Sequence, residues 1–216
     1  VFVKKPIKKG EAISAEDVFF AMPCHPGQLN SGEFGRLRAR YVASKDYEIN
    51  QPVFEKSNFD NFYKVRQIIH KAKGMLNEAG IILNEKSEVE LSHHYGLENF
   101  EKFGCLIVTL INREYCKKII VVFQGQHHPE QRHVKKEETF HMLSGELIIS
   151  LNGISQKLVK GDIVTIDRGV THSFYSEEGA ILEEVSTTHF RNDSFYTDPL
   201  IAEQDPMQRK TVVDNF

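Results

Sequence analysis

The sequence predicts a mainly β protein: a small α+β unit at residues 1–59, a connecting helix at 60–84 and an antiparallel β barrel at 85–190. Three features support this prediction. Short, turn-rich segments fill the first part, apolar residues recur every three or four positions in the second, and short apolar or alternating runs fill the third. Residues 191–216 are polar and are predicted to form a tail without a regular element.

Two similar segments of the first unit each predict a tight turn. Residues 9–13 read Lys-Gly-Glu-Ala-Ile and residues 49–53 read Ile-Asn-Gln-Pro-Val, with Gly10 and Asn50 at matching positions. Both residue types tolerate a positive φ angle, so the segments indicate a weak internal repeat. Residues 14–17 and 30–33 each have the pattern of a capping box, which predicts a short helix at both places.

Three arginines alternate along the chain at Arg36, Arg38 and Arg40. Residues 38–45 are predicted to form a strand, and alternate residues of a strand share one face. The three guanidinium groups would then lie on one side, where they could meet an anionic ligand.

An apolar stripe with helical spacing predicts the connecting helix, and Gly80 is placed to end it. The stripe consists of Phe59, Phe62, Val65, Ile69, Ala72, Leu76 and Ala79.

From residue 104 to about 190 the pattern is typical of β structure. The predicted strands are residues 105–111, 119–124, 138–143, 146–151, 156–159, 163–166, 171–175 and 180–188. Asn152-Gly153 between two of them is a strong signal for a type I′ hairpin. Eight short strands at this spacing favour a sandwich or barrel over a parallel sheet.

Composition excludes several classes of protein. The net charge of −3 argues against a general nucleic-acid binder, and no apolar run is long enough to cross a membrane. Three cysteines without close spacing argue against a disulfide scaffold and favour a reducing compartment, the cytoplasm. The chain starts with Val1 rather than Met, which suggests a segment of a longer protein.

Histidines are concentrated in one region: six of the ten lie between residues 127 and 189. A divalent metal needs two or three imidazoles and a carboxylate that converge on one point, and neighbouring barrel strands can supply them. His133 and Glu138 would lie on one hairpin and His172 on a strand nearby. His141 and His189 are expected to lie outside such a site.

These residues resemble the two motifs of the cupin superfamily, which implies a jelly-roll barrel, or double-stranded β-helix. In the first motif His133, Glu138 and Gly145 match, but Gln131 stands where the family has a histidine. In the second, Gly161, Gly169 and His172 match. Gln131 could be the fourth ligand, His127 or His128 could fold in from the loop, or one position could stay open.

Nitrogen and oxygen ligands of this kind suit Zn, Mn, Fe, Ni or Co, and such an ion could polarise the carbonyl and hydroxyl of a sugar. Either Glu183 or Glu184 could then move a proton between adjacent carbons. The other candidate substrate contacts are His127, His128, Lys135, Lys136 and Arg168. The strand at 182–188 with Asn192-Asp193 resembles cupin sugar isomerases of the lyxose isomerase type.

Residues 1–59 resemble the SAF (antifreeze-like) domain of sialic acid synthases, through residues 7–11, 14–18 and 26–27 and the repeat at 46–54. The order SAF domain, helix, cupin is similar to long sialic acid synthase-like proteins. That resemblance implies a TIM barrel upstream as a partner of this segment.

The sequence thus predicts a metal-binding cupin module of a sialic acid synthase-like protein that acts on a sugar as an isomerase or epimerase. An alternative is a non-catalytic sugar-binding or dimerisation module, favoured by Gln131 in place of histidine. A metal-dependent dioxygenase is a third possibility. Resemblance to other cupins implies a homodimer.

Overall fold

The computed structural model of the chain describes residues 1–35, 40–57, 59–84 and 86–213, with only the backbone described at residues 59 and 60. The chain divides into two compact units, Val1–Arg66 and Gln67–Phe216. None of the helices in the described ranges has the length and apolar character needed to span a bilayer.

The first unit contains short strands paired around a small apolar core. Its elements are β1 (Phe2–Val3), β2 (Ala12–Ile13), β3 (Val18–Phe19), α1 (Ser31–Phe34) and β4 (Tyr41–Val42). Strand β1 pairs with β3, and β2 pairs with β4. Both predicted turns have the left-handed conformation, with φ of 88° at Gly10 and 67° at Asn50.

Only one of the two predicted capping boxes begins a helix. Asn30 accepts a hydrogen bond from the Glu33 N–H and caps α1. At the other, the Asp17 carboxylate accepts hydrogen bonds from the Ser14 N–H and hydroxyl, at 2.7 and 2.6 Å, and closes a turn that leads into β3. Of the alternating arginines, Arg40 is exposed, and Arg36 and Arg38 lie outside the described residues.

Helix α2 spans Phe59–Glu78. In the second unit, Ile68, Ala72 and Leu76 are its buried residues. Gly80 ends the helix as predicted: its φ is 71°, and the Ile81 N–H donates to the Leu76 carbonyl in the manner of a Schellman motif.

The second unit is an antiparallel sheet that curls around a buried core, and the predicted mainly β fold is confirmed. Its strands follow the order β14-β8-β12-β9-β13-β7-β6-β5-β15, with β10 and β11 also paired to β9. Their bounds are β5 Glu88–Ser92, β6 Cys105–Asn112, β7 Tyr115–Val122, β8 His127–Arg132, β9 Glu138–Leu151, β10 Ile154–Val159, β11 Ile163–Ile166, β12 His172–Tyr175, β13 Ala180–Thr187, β14 Phe195–Tyr196 and β15 Lys210–Val213. A 3-10 turn at Leu97–Asn99 and a short helix, α3 (Pro199–Ala202), complete it.

Strand β9 joins the two halves of the curled sheet. Its first half pairs with β11 and β13, and its second half pairs with β10 and β12. The change of partner occurs at Gly145, where φ is 74° and an added Cβ would lie 2.1 Å from the Gly179 carbonyl oxygen. The two strands predicted at 138–143 and 146–151 are therefore one bent strand.

Residues on the inner face of this sheet alternate with exposed or half-buried ones. Phe140, Met142, Leu147 and Ile149 of β9 all point into the core. The hairpin predicted at Asn152-Gly153 is present, with φ of 47° and 82°. The tail differs from expectation, because β14, α3 and β15 all form, and β15 pairs with β5.

Candidate metal centre and cavity

The structure brings His133, Glu138 and His172 together in the second unit. His133 follows β8, Glu138 begins β9 and His172 begins β12, so three neighbouring strands position them. One ligand atom from each lies within 4.8 Å of the other two, and all three side chains are buried. Glu138 Oε1 is 3.0 Å from His172 Nε2 and 3.6 Å from His133 Nε2.

Hydrogen bonds on the far side of each imidazole fix which nitrogen faces this point. His133 Nδ1 lies 2.6 Å from the Asp193 carbonyl, and His172 Nδ1 lies 3.2 Å from the Val170 carbonyl. A carbonyl only accepts, so both Nδ1 atoms carry the proton and both Nε2 atoms present a lone pair.

The three inner atoms, His133 Nε2, Glu138 Oε1 and His172 Nε2, are therefore all acceptors, and none of them donates to another. His133 Nε2 and Glu138 Oε1 are buried without a hydrogen-bond partner. Such unpaired buried groups are costly unless a cation lies between them. Atoms that ligate one ion at about 2.1 Å lie roughly 3–3.5 Å apart, which the two distances to Glu138 match. These three residues therefore fit a divalent metal, whose identity the geometry leaves open.

Gln131 is the other predicted ligand in contact with this set. It lies opposite His172 in the β8–β12 pair, and its Nε2 is 3.4 Å from His172 Nε2. Its Oε1 is buried without a partner. A half-turn of the amide would bring Oε1, a possible ligand, to the position of the nitrogen.

The two histidines of β8 point in opposite directions. His128 is buried in the cavity, with its ring stacked on Phe174, and burial holds its pKa well below the ordinary value. His127 is exposed and stacks on Tyr175 instead. Because neighbouring residues of a strand face opposite sides, His128 and not His127 lies on the inner face.

Glu184 faces inward and Glu183 faces outward. Glu183 Oε1 pairs with Lys117 at 2.7 Å. Glu184 is buried, and its Oε1 lies 2.9 Å from Lys136 Nζ, 3.4 Å from Lys118 Nζ and 3.0 Å from the Ser186 hydroxyl. Lys136 also contacts Glu138 Oε2, so one ammonium group joins Glu184 to the candidate metal ligand.

Electrostatics keeps these carboxyl groups ionised. Burial alone would raise the pKa of Glu184, but the Lys118 and Lys136 charges lower it to about 2. For Glu138 the opposing effect of burial is likewise outweighed, chiefly by Lys136, and its pKa lies well below the usual range. Burial lowers the pKa of His133 to about 4, so its imidazole is neutral at pH 7 and able to bind a metal.

Lys135 and Arg168, predicted as substrate contacts, lie on the surface beside the centre. The Lys135 ammonium is 5.1 Å from the Phe190 ring centre, and Arg168 Nε donates to the Lys135 carbonyl. Neither side chain lines the cavity described below. Both residues instead make contacts that stabilise the loop before β9.

Asp193 organises that loop and was absent from the predicted site residues. Its carboxylate accepts hydrogen bonds from the backbone N–H groups of Val134, Lys135 and Lys136, while its carbonyl orients His133. The resemblance of Asn192-Asp193 to sugar isomerases was the only signal for it. Lys136, a predicted substrate contact, instead pairs with Glu138 and Glu184 inside the cavity.

A cavity of about 500 Å³ opens beside these groups, within the second unit. His133, Glu138, Gln131, Lys136 and Glu184 line one part of it. His189, half-buried, lines it too, against the expectation that it lies outside the site. The remaining polar lining includes His94, Tyr196, Arg209 and Lys210, none of which was predicted to belong to the site.

Comparison with known proteins agrees with this geometry. Residues 119–186 match the family model of the cupin domain. The chain is 30% identical over 166 residues to a D-lyxose ketol-isomerase of Thermofilum sp. (strain ex4484_79), with 62% of this chain and 92% of the relative covered. The chain belongs to the D-lyxose ketol-isomerase family.

Two further proteins are similar to the chain. A D-lyxose/D-mannose isomerase of Thermosediminibacter oceani is 29% identical over 169 residues, covering 64% of this chain and 93% of its own length. The solved structure of Geodermatophilus obscurus L-ribose isomerase superposes with a TM-score of 0.57 at 12% identity, covering 68% of this chain and 96% of that one. At that identity the superposition supports the shared fold alone.

This membership corrects the predicted origin of the chain. The prediction of a sialic acid synthase-like protein is wrong, because the sugar isomerase relatives match over 92–93% of their own lengths. The predicted upstream TIM barrel loses its basis with it, and an SAF identity for residues 1–59 is not confirmed. The short turn motifs that suggested it occur wherever strands reverse, so they are weak signals.

Proposed function

We propose that the chain is a metal-dependent aldose–ketose isomerase. The observation that carries the proposal is the convergence of His133 Nε2, Glu138 Oε1 and His172 Nε2 without a hydrogen donor among them. The family relatives named for lyxose and mannose isomerisation support this reaction class. A cavity of about 500 Å³ has the size of a small-molecule site.

The candidate metal ligands are His133, Glu138 and His172, with Gln131 as a possible fourth. A divalent ion there would polarise the sugar carbonyl and its neighbouring hydroxyl. Zn, Mn, Fe, Ni and Co all suit two imidazoles and a carboxylate.

Glu184 is the candidate for proton transfer. In the proposed reaction its carboxylate takes the proton from C2 of the aldose and returns it to C1, while a hydroxyl proton moves from O2 to O1. No net oxidation occurs. With a pKa of about 2, Glu184 is ionised at neutral pH and holds a transferred proton only briefly. The adjacent ammonium groups of Lys118 and Lys136 favour the negative charge that develops on the sugar oxygens.

Metal content and turnover together test the proposal. The purified protein is loaded with Mn, Zn, Ni or Co and tested on D-lyxose and D-mannose, with ketose formation followed by NMR. We expect about one ion bound per chain and turnover that a chelator abolishes. His133→Ala should lose both the ion and at least about 100-fold in kcat.

The matched control is His141→Ala, since His141 lies on the outward side of β9 beside Glu183. It should retain both metal and turnover. Stoichiometric metal without conversion of any aldose would instead support a non-catalytic sugar-binding module.

A further inference from the structure

Arg209 is a buried cation in the lining of the cavity, and in the described part of the chain its contacts are not with His133, Glu138 or His172. It is 9% exposed. Its Nη1 donates to the Ile201 carbonyl at 3.3 Å, and its guanidinium carbon lies 4.8 Å from the centre of the Tyr196 ring. Among the residues that the structure describes, no carboxylate lies within 4 Å of this guanidinium.

The other cations of the cavity that are buried or half-buried have such partners. Lys118 and Lys136 contact Glu184, and Lys210 Nζ is 2.9 Å from Glu90. Arg191 also lines the cavity but is exposed and therefore solvated. Arg209 thus carries a desolvated charge without a counter-ion, which is costly unless a ligand supplies one.

Two aromatic groups near Arg209, His94 and Tyr196, are neutral and can donate hydrogen bonds. His94 Nδ1 is buried without a partner, and its ring lies 5.0 Å from Tyr196 and 4.8 Å from His128. Burial and the Arg209 charge lower the pKa of His94 to about 3, so its imidazole is uncharged. Burial raises the pKa of Tyr196, which keeps its phenol protonated.

We infer that this end of the cavity binds an anionic group, so that the substrate is an aldose with a phosphate or carboxylate far from its carbonyl carbon. Arginine recognises both anions through paired N–H donors. Tyr196 lies opposite Gln131 in the β14–β8 pair, which joins this end to the candidate metal centre within one cavity. The inference rests on the proposed isomerase function and names the substrate class of the same site.

Kinetics on matched sugars test the inference. D-Mannose is compared with D-mannose 6-phosphate and D-mannuronate as substrates of the metal-loaded protein. We expect kcat/KM to be at least about tenfold higher for one of the anionic sugars, and that sugar identifies the anion. Arg209→Met should lower this value about 100-fold and lower kcat/KM for D-mannose by a much smaller factor, so that the preference for the anionic sugar is lost.

Arg132→Met is the matched control, because Arg132 also stacks on an aromatic ring, Phe195 at 5.7 Å, but is exposed and outside the cavity. It should alter neither value. Arg209→Lys keeps the charge and should restore part of the anionic preference. If thermal unfolding shows that Arg209→Met is not folded, the anionic and neutral sugars are compared with Arg209→Lys and Arg209→Gln instead.

Calorimetry with inorganic phosphate separates this inference from the isomerase function. Binding to the wild type that Arg209→Met abolishes would support the anion site even if no sugar is isomerised. Turnover of D-mannose without an anionic preference and without phosphate binding would overturn the inference and leave the isomerase function standing.

Discussion

Two adjacent glutamates on β13 have opposite surroundings, and this difference predicts different effects of the same substitution. Glu184→Gln keeps the size of the side chain and removes its ability to accept a proton. We expect kcat for aldose isomerisation to fall by roughly 10²–10⁴-fold. Glu183→Gln removes an outward pair with Lys117 and should change kcat less than about threefold.

Metal content and thermal unfolding of both variants check that the centre and the fold persist. A Glu184→Gln protein with wild-type kcat would exclude Glu184 as the proton carrier. The amide also loses the ion pairs to Lys118 and Lys136, so a fall in stability should accompany the loss of turnover.

At the residue scale the sequence supplied the candidate metal ligands but only part of their surroundings. Residue type and the resemblance to the two cupin motifs brought His133, Glu138 and His172 into one prediction. The sequence does not indicate whether Glu183 or Glu184 faces inward, because the side to which each residue of β13 points depends on the register of β13 with β9. In the structure Glu184 lies opposite Phe140, an inward residue, so the two share a face.

At the element scale, local turn chemistry was predictable and long-range pairing was not. The left-handed turns at Gly10, Asn50 and Asn152-Gly153 follow from residue type. Residues 210–213, Lys-Thr-Val-Val, are too few to show a periodicity of their own, and they form a strand by pairing with β5. Arg209 directly precedes that strand, so its place in the cavity could not be predicted from the sequence.

Strand β9 provides the prediction at this scale. Gly145→Ala adds a Cβ that would meet the Gly179 carbonyl oxygen at 2.1 Å, in addition to the strain of a positive φ. Gly153→Ala has similar strain, with φ of 82°, but open space around the new Cβ. We expect a loss of about 1–2 kcal/mol for Gly153→Ala and at least about 2 kcal/mol more for Gly145→Ala.

Urea unfolding of both variants measures this difference in the free energy of unfolding. Because Gly145 lies where β9 changes partners, its substitution should also weaken metal binding, whereas Gly153→Ala should leave it intact. Equal losses for the two variants would mean that β9 can bend elsewhere.

At the scale of the whole molecule, the fold class was predictable because short antiparallel strands leave a repeated signature in the sequence. The family context was not, since the motifs of residues 1–59 are short and record only local turns. The sequence also does not show which distant polar groups become buried together. Those groups determine how the free energy of unfolding depends on pH.

His94 illustrates that response. Its folded-state pKa of about 3 is below the unfolded value of about 6.5. Unfolding therefore takes up a proton between these two pH values, and the stabilising effect of a neutral His94 is complete above pH 6.5 and lost as pH falls towards 3. One such group contributes a slope of at most about 1.4 kcal/mol per pH unit to the free energy of unfolding.

Replacing His94 with glutamine removes a titrating group, so the free energy of unfolding should depend less steeply on pH between 4 and 6. Hydrogen exchange of the β7 and β13 amides reports this free energy for the second unit, at fixed metal content. His127→Gln, an exposed histidine of the same unit, controls for loss of an imidazole. His93 and His128 also interact with the His94 charge, so a slope unchanged in His94→Gln would mean that these two histidines take up the proton instead.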